Sequence, residues 1–177
     1  MRNKIILLSV SILLFNCTTQ KYIVTSELNA KEQSINSEIL YIPISFIDRQ
    51  NSTILNEACD RINKLDYQGL EEAINSLDSK IASGADVFLS KALLNISRGH
   101  YLRANDNLKK IPDTTFTLLK NLLSIDVQYQ LAKRDKFDTF DAFLKKYQAL
   151  LNQNSDNDLL RKLLYIRLRY IRYNSNY

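Results

Sequence analysis

One helical pattern that returns at nearly constant intervals is the feature that most limits how this chain can fold. An aromatic residue followed by apolar or small residues at spacings of 3, 4 and 3 marks one face of an α-helix. The pattern occurs three times, starting at positions 67, 101 and 137. Its members are Tyr67, Leu70, Ile74 and Leu77, then Tyr101, Ala104, Leu108 and Ile111, and then Phe137, Phe140, Leu144 and Tyr147. A repeat of this length predicts stacked supersecondary units.

A second apolar pattern precedes each copy and predicts a partner helix. In the first unit its members are Leu55, Ala58, Cys59 and Ile62. In the second unit they are Leu89, Ala92, Leu93 and Ile96, each 34 residues later, which is also the distance from Tyr67 to Tyr101. The third partner helix is predicted over residues 114–132, with Ile125, Tyr129 and Ala132 in the matching places. The sequence therefore predicts three helix–turn–helix units, and such units bury their apolar faces only by stacking on one another.

A 34-residue helix–turn–helix unit with a small residue on its first helix and an aromatic-x-x-small motif on its second resembles the tetratricopeptide repeat (TPR). The best match runs from Gly99 to Ala104 and continues to Leu108, whereas Leu70 and Phe140 stand where the family has a small residue. The resemblance covers about residues 51–152. It implies an all-α fold, a TPR-like helical-hairpin solenoid of about three hairpins with a C-terminal capping helix.

TPR proteins present their first helices toward a partner's extended or helical segment. The resemblance therefore implies that Asn56, Lys91, Asn95 and Arg98, which lie on the predicted first helices, are partner-binding residues.

The N-terminus has the pattern of an export signal. A short positive start precedes an apolar run over residues 5–15. This run is too short for a membrane-spanning helix, which needs about 20 apolar residues. The segment Leu-Phe-Asn-Cys at residues 14–17 resembles the lipobox of bacterial lipoproteins, in a relaxed form similar to that of spirochetes. The resemblance implies that residues 1–16 are a signal peptide and that Cys17 carries lipid. An ordinary signal peptide followed by an unrelated cysteine is the alternative.

This interpretation divides the chain into three parts: the signal peptide, the lipidated cysteine and its tether at residues 17–50, and the TPR-like domain at residues 51–177. Residues 38–48 are too apolar for a plain linker, and Pro43 disfavours a continuous helix there. We expect an extended segment that lies against the helical body or covers a groove until a partner binds.

Basic charge is concentrated at the C-terminal end. The chain has a formal net charge of +5, and five basic residues but no acidic residue follow Leu159. A helix predicted from Asp158 to about Tyr173 has one apolar half, while the other half carries Arg161, Lys162, Arg169 and Arg172 together with Tyr165. This helix is interpreted as the cap of the array, and its basic half as solvent-exposed or as a docking surface for an acidic protein or anionic lipid headgroups.

Arg167 departs from this pattern because it projects from the middle of the apolar half. It is predicted either to reach the edge of the helix, to pair with a buried carboxylate, or to pair with an acidic group of a partner. We count it among the partner-binding residues. Replacement by Leu is accordingly expected to weaken partner binding more than folding.

Groups suited to catalysis or metal binding are few. The only histidine, His100, lies in a polar turn, where solvent exposure is the expected state. Cys59, the only other cysteine, has the spacing of a buried small hydrophobic residue. Glycine-rich phosphate loops and nucleophile motifs are absent from the sequence. The sequence therefore predicts no enzyme, no cofactor and no metal site. An exported lipoprotein would not meet cellular nucleic acid, so no nucleic-acid partner is predicted.

Two functions remain open. The first is a protein–protein interaction adaptor or scaffold, anchored by lipid in the cell envelope, with the outer membrane as the expected location. The second is a surface-exposed lipoprotein that binds a host or environmental ligand. Protease treatment of intact cells separates the two, because only a surface protein is degraded without lysis. The partner's identity, the membrane leaflet and the oligomeric state are left open by the sequence.

Overall fold

The computed structural model describes residues 21–25, 39–43, 52–78, 81–134 and 140–175. Seven helices make up most of this described part. They are α1 (Thr53–Asn63), α2 (Tyr67–Asn75), α3 (Ala85–Ser97), α4 (Tyr101–Lys109), α5 (Thr117–Arg134), α6 (Phe140–Asn152) and α7 (Asp158–Ser175). The predicted all-α class is confirmed for this helical body. The predicted signal peptide and Cys17 lie outside the described residues.

The helices pack in the order in which they follow one another. Helices α1 and α2 form one hairpin and α3 and α4 a second, and α3 packs on both helices of the first. Helix α4 then packs on α5, α5 on α6, and α6 on α7. Consecutive short connections of this kind keep neighbours in sequence adjacent in space.

A two-stranded parallel sheet accompanies the helices. Strand β1 (Lys21–Thr25) pairs with β2 (Ile39–Pro43), with Lys21 opposite Ile39. Strand β1 lies against α1 and α3, and β2 lies against α7, where Ile42 is fully buried in the core. The interpretation of residues 17–50 as a tether did not include a strand at 21–25. That segment shows no period of its own because its structure depends on pairing with β2, a later and separate segment of the chain.

The periodic pattern correctly identified the inward faces of the first four helices. All eight residues predicted on the inner faces of α1 and α3 are buried. Leu70 and Ile74 are buried on α2, and Ala104 and Leu108 on α4, while Tyr67 and Tyr101 pack at the edge of the same core. Burial of these faces between helices, rather than helix propensity, supplies most of the stability of such an array.

The third hairpin departs from the prediction. Helix α6 buries Phe143, Tyr147 and Leu150, and of these only Tyr147 belongs to the predicted set; Leu144 is half-buried. Phe137 and the side chain of Phe140 lie outside the described part. The inward face differs because α6 must contact α5 and α7 together. Tyr147 keeps its predicted inward position, where its hydroxyl donates to Asp126 of α5.

The first two hairpins have the same turn between their helices. At the first turn, the Leu65 amide donates to Ile62 and the Asp66 amide to Arg61; the Gly99 and His100 amides make the equivalent bonds at the second turn. This is the hydrogen-bond pattern of a Schellman motif, which needs a left-handed residue after the helix. Leu65 has a φ of 61° and Gly99 a φ of 74°. The same backbone position is therefore occupied by a strained residue in one turn and by glycine in the other.

This difference predicts opposite effects of two substitutions. We expect Leu65→Gly to raise the free energy of unfolding by about 0.5–1 kcal/mol, because relief of the left-handed conformation outweighs the entropy that glycine adds to the unfolded chain. Gly99→Ala should lower it by about 1 kcal/mol. Nothing lies within 4 Å of a Cβ placed on Gly99, so the loss of stability in Gly99→Ala comes from the left-handed backbone conformation and not from a steric clash. Urea unfolding measures both changes, and effects of equal sign would contradict the equivalence of the turns.

Candidate binding groove

A groove lies between α2, α3 and α4, and a polar stripe on α3 forms its floor. Lys91, Asn95 and Arg98 are spaced by 4 and 3 residues and lie on one side of the helix and its C-cap, and each is half-buried. Seven other residues of α3 are buried. Because the apolar positions fix the helix against its neighbours, the polar stripe has a defined orientation toward solvent.

The walls of the groove come from the helices on either side of this stripe. Helix α2 forms one wall, and α4 with its C-cap forms the other. The space between them has a volume of about 330 Å³. Its lining consists of Glu71, Ile74 and Asn75 from α2, Lys91, Leu94, Asn95 and Arg98 from α3, and Arg103, Asp106, Asn107 and Lys110 from the α4 side.

An ion pair links the floor to the α2 wall. The Arg98 guanidinium donates through Nη1 to Oε2 of Glu71 at 2.6 Å, between residues 27 apart in sequence. Both side chains are partly open to water, so the pair adds little to stability. It does hold the guanidinium in place at one side of the groove.

Two asparagine side chains are fixed by their own helices. Nδ2 of Asn95 donates to the Lys91 carbonyl at 2.7 Å, and Nδ2 of Asn107 donates to the Arg103 carbonyl at 2.8 Å. A side-chain amide has two N–H donors and an accepting oxygen, so each asparagine retains hydrogen-bonding capacity beyond this bond. Paired amide groups on facing helices are suited to bind the backbone of an extended peptide.

Cationic groups gather at one end of the groove around an aromatic ring. The Lys91 and Lys110 ammonium nitrogens lie 5.9 and 5.4 Å from the centre of the Phe88 ring. Cation–π attraction holds each ammonium near the ring and compensates for some of the repulsion between the two charges. This end of the groove therefore carries concentrated positive charge.

The groove as a whole has a cationic excess. Its lining carries four cations, Lys91, Arg98, Arg103 and Lys110, against the two acids Glu71 and Asp106. The Arg98–Glu71 pair neutralises one charge of each sign within the groove. What remains, three cations against one acid, favours an acidic ligand.

The structure brings together three of the four residues that the TPR resemblance implied. Lys91, Asn95 and Arg98 line the groove, whereas Asn56 is exposed on α1 and is not part of the lining. The groove opens between α2 and α4, while β1 packs against α1 and α3. The resemblance implied a binding surface formed by the first helices of the hairpins. The groove instead takes its floor from the first helix α3 and its walls from the second helices α2 and α4.

The remaining predicted residues lie on α7. Arg161, Lys162, Arg169 and Arg172 are exposed there, on the face that the helical pattern predicted. Arg167 is only 1% exposed. Three roles were left open for Arg167, and in the structure it pairs with a buried carboxylate. We therefore no longer count it among the partner-binding residues.

Arg167 belongs to a buried polar cluster between α5, α6 and α7. It donates to both carboxylate oxygens of Asp126, from Nε at 2.8 Å to Oδ1 and from Nη2 at 2.7 Å to Oδ2. The Tyr147 hydroxyl donates to Oδ1 of Asp126 at 2.5 Å. Asp126, like Arg167, is 1% exposed. The bidentate contact between Arg167 and Asp126, together with the third hydrogen bond from Tyr147, offsets the free-energy cost of removing the two charges from water.

The tyrosines around this cluster have raised pKa values. Burial, with the charge of Asp126, raises the pKa of Tyr147 well above its ordinary value. Burial raises the pKa of Tyr129 to about 12 and also raises that of Tyr170, which accepts a hydrogen bond from Gln130 at 3.3 Å. The Tyr129 ring makes edge contacts with the rings of Phe143 and Tyr170.

Sequence reasoning missed the walls of the groove. Arg103 and Asn107, like Asp106 and Lys110, are spaced by four residues and so share a face of α4. That spacing was available in the sequence as a signal of a polar helix face. The placement of this face beside the α3 stripe was not, because it depends on how the two hairpins pack.

The described residues include no group of three or more His, Cys, Asp or Glu side chains that could hold a metal ion. Among the described helices, none is long and apolar enough to cross a membrane. His100, the only histidine of the chain, is exposed in the turn before α4.

Comparison of the chain with protein-family models, with curated proteins and with solved structures gives no match.

Proposed function

We propose that this chain is a lipoprotein of the cell envelope that acts as a protein–protein adaptor through a TPR-like domain. The observation that carries the proposal is the polar groove on a body of helical hairpins, with a cationic excess and fixed asparagine amides. Its ligand would be an acidic, extended segment of a partner protein. The proposal includes anchoring by lipid on Cys17 and a binding role without catalysis.

Support for the TPR-like interpretation comes from the hairpins themselves. Two hairpins share a turn with equivalent hydrogen bonds at equivalent repeat positions, and their buried positions follow the same spacing. Stacked hairpins present adjacent helices as an extended surface, which is how repeat proteins bind their partners. Beyond these two hairpins, α5 packs on α4, α6 on α5 and α7 on α6.

Support for an acidic peptide comes from the chemistry of the lining. An extended peptide exposes N–H and C=O groups along its length, and the amides of Asn95 and Asn107 can bond to both kinds. Carboxylates of the peptide would meet Lys91, Arg103 and Lys110. Complementary charge of this kind raises the association rate and selects among partners.

We expect reversal of the wall charges, with Arg103→Glu and Lys110→Glu together, to weaken partner binding by at least about tenfold. The reason is that attraction to the partner's carboxylates becomes repulsion at two positions. Both residues are exposed, so folding should change little. The measurement is cross-linked purification from the native membrane, with the co-purifying proteins quantified by mass spectrometry.

The matched control is Arg161→Glu with Lys162→Glu, which makes the same charge change on α7 and should leave the groove's partner bound. Recovery of the same partner at the same amount with both double variants would contradict the groove as the binding site. Cys17→Ser in the same preparation should shift the protein from the membrane to the soluble fraction. A protein that stays in the membrane after a high-salt wash, which releases proteins held by charge alone, would contradict the anchor and leave the groove proposal unaffected.

A further inference from the structure

The exposed side of α7 presents a row of cations with an aromatic residue at its centre. Arg161, Lys162, Arg169 and Arg172 are exposed, and Tyr165 between them is 62% exposed. From residue 161 to residue 172 the helix rises about 16 Å at 1.5 Å per residue. We propose that this row, the α7 basic face, lies flat on a membrane surface that carries anionic lipid headgroups.

The opposite side of α7 fixes the orientation of this face. Six residues of the helix pack into the core, namely Leu160, Leu163, Leu164, Ile166, Tyr170 and Ile171. The buried pair between Arg167 and Asp126 further fastens α7 to α5. The helix cannot rotate without breaking these contacts, so its basic face points permanently away from the body.

Charge on α7 is graded along the helix. Asp158 at the N-terminal end lies 3.2 Å from Arg161, and no acidic residue follows Asp158 in the helix sequence. Attraction to an anionic surface contributes about fivefold in the docking equilibrium for each nearby Lys or Arg. Asp158 offsets part of the charge of Arg161, but Lys162, Arg169 and Arg172 are enough for a substantial contribution even where salt screens part of it.

The composition of the face fits a lipid surface better than an acidic protein. Long, flexible cationic side chains on a convex helix can each meet a mobile headgroup, whereas a folded acidic partner needs a matching fixed surface. Tyr165 has the amphipathic ring that favours the headgroup level of a bilayer, and the Arg169 guanidinium lies 6.0 Å from its centre. With only this one large apolar residue exposed on the described part of α7, the helix would rest on the headgroups and not insert.

A single-tryptophan reporter tests the proposal, because the chain contains no tryptophan. Tyr165→Trp places the reporter at the centre of the basic face. Leu102→Trp, at a residue on α4 that is 56% exposed, is the matched reporter on another surface. Each full-length protein is added to vesicles of phosphatidylcholine alone or with about one-third phosphatidylglycerol, where salt dependence follows from screening. Both reporters share any contribution from the N-terminal segment, so only a difference between them reports docking of α7.

We expect the tryptophan emission of the Tyr165→Trp protein to shift to the blue, and to be quenched by brominated lipid, on anionic vesicles only and reversibly with salt. Lys162→Gln with Arg169→Gln should lower the ratio of docked to undocked protein roughly thirtyfold. Lys64→Gln with Lys109→Gln, which removes two exposed cations outside both the groove and α7, should leave it unchanged. An equal shift on neutral vesicles, an equal shift at position 102, or a shift with soluble polyglutamate but not with vesicles would overturn the proposal. None of these outcomes depends on the groove or its partner.

Discussion

Arg167→Met should lower the free energy of unfolding by about 3–5 kcal/mol, the largest effect we expect from a single substitution in this chain. Methionine fills most of the space of the arginine stem but leaves the Asp126 carboxylate buried without its cation. The Tyr147 hydroxyl would then be the one remaining donor that the structure shows for that carboxylate. Urea unfolding followed by circular dichroism measures the loss, and the matched control is Arg169→Met. That residue is exposed on the same helix, so its substitution should stay within about 0.5 kcal/mol.

The cost should come from the orphaned charge and not from the loss of packing. Replacing the whole cluster by apolar residues, with Asp126→Leu, Tyr147→Phe and Arg167→Met together, removes every buried charge at once. We expect this triple variant to recover to within about 2 kcal/mol of the parent protein, since apolar replacements of buried ion pairs are often neutral. A triple variant less stable than Arg167→Met would instead show that the cluster itself holds the three helices together.

This result would also decide between two accounts of Arg167. Its place on the apolar half of a helix predicted partner binding, with folding affected less. In the structure its partner is Asp126, 41 residues earlier in the chain. If Arg167→Met unfolds easily while the groove still binds its partner, the arginine acts on folding alone. Normal stability with lost partner binding would restore the earlier interpretation.

Local periodicity predicted those parts of the molecule that depend on neighbours within one helix. The faces of α1 to α4 and the exposed cations of α7 follow from spacings of three and four residues, because each helix presents one face to the core. The inward face of α6 did not follow, since it depends on contacts with α5 and α7 at once. Strand β1 was missed for a similar reason: its pairing with β2 joins distant segments.

The groove shows the same limit within a single site. The stripe of Lys91, Asn95 and Arg98 could be identified on one helix, although the reason came from a family resemblance. Its walls come from α2 and α4, and their position depends on how the first hairpin packs on the second. Asn56 was predicted from the same resemblance yet lies on α1, outside the groove lining. Helix periodicity identifies candidate residues, and tertiary packing decides which of them meet.

The buried tyrosines should make the protein lose stability steeply in alkaline solution. Tyr129, Tyr147 and Tyr170 all have raised pKa values in the folded protein. Above pH 10 the unfolded chain therefore releases protons that the folded chain retains, and stability falls as pH rises. Each proton that the folded chain fully retains lowers the free energy of unfolding by about 1.4 kcal/mol per pH unit. The three tyrosines together therefore lower it by at most about 4 kcal/mol per pH unit. Lys133 acts in the opposite direction below about pH 10.5, because burial lowers its pKa.

The clearest window is therefore pH 10.5–11.5, where unfolded tyrosine is mostly ionised and unfolded lysine is losing its charge. Tyr147→Phe should reduce the slope of unfolding free energy against pH in this window by at least about one-third, whatever its effect on stability at neutral pH. Tyr165→Phe is the matched control, because it removes the hydroxyl of a tyrosine that is 62% exposed. Urea unfolding at four or five pH values gives both slopes. Two outcomes would contradict this prediction: a stability that does not change with pH in the parent protein, or equal slopes in the Tyr147 and Tyr165 variants. Either would show that the hydroxyl of Tyr147 titrates as it does in water and that the cluster around Asp126 is open to solvent.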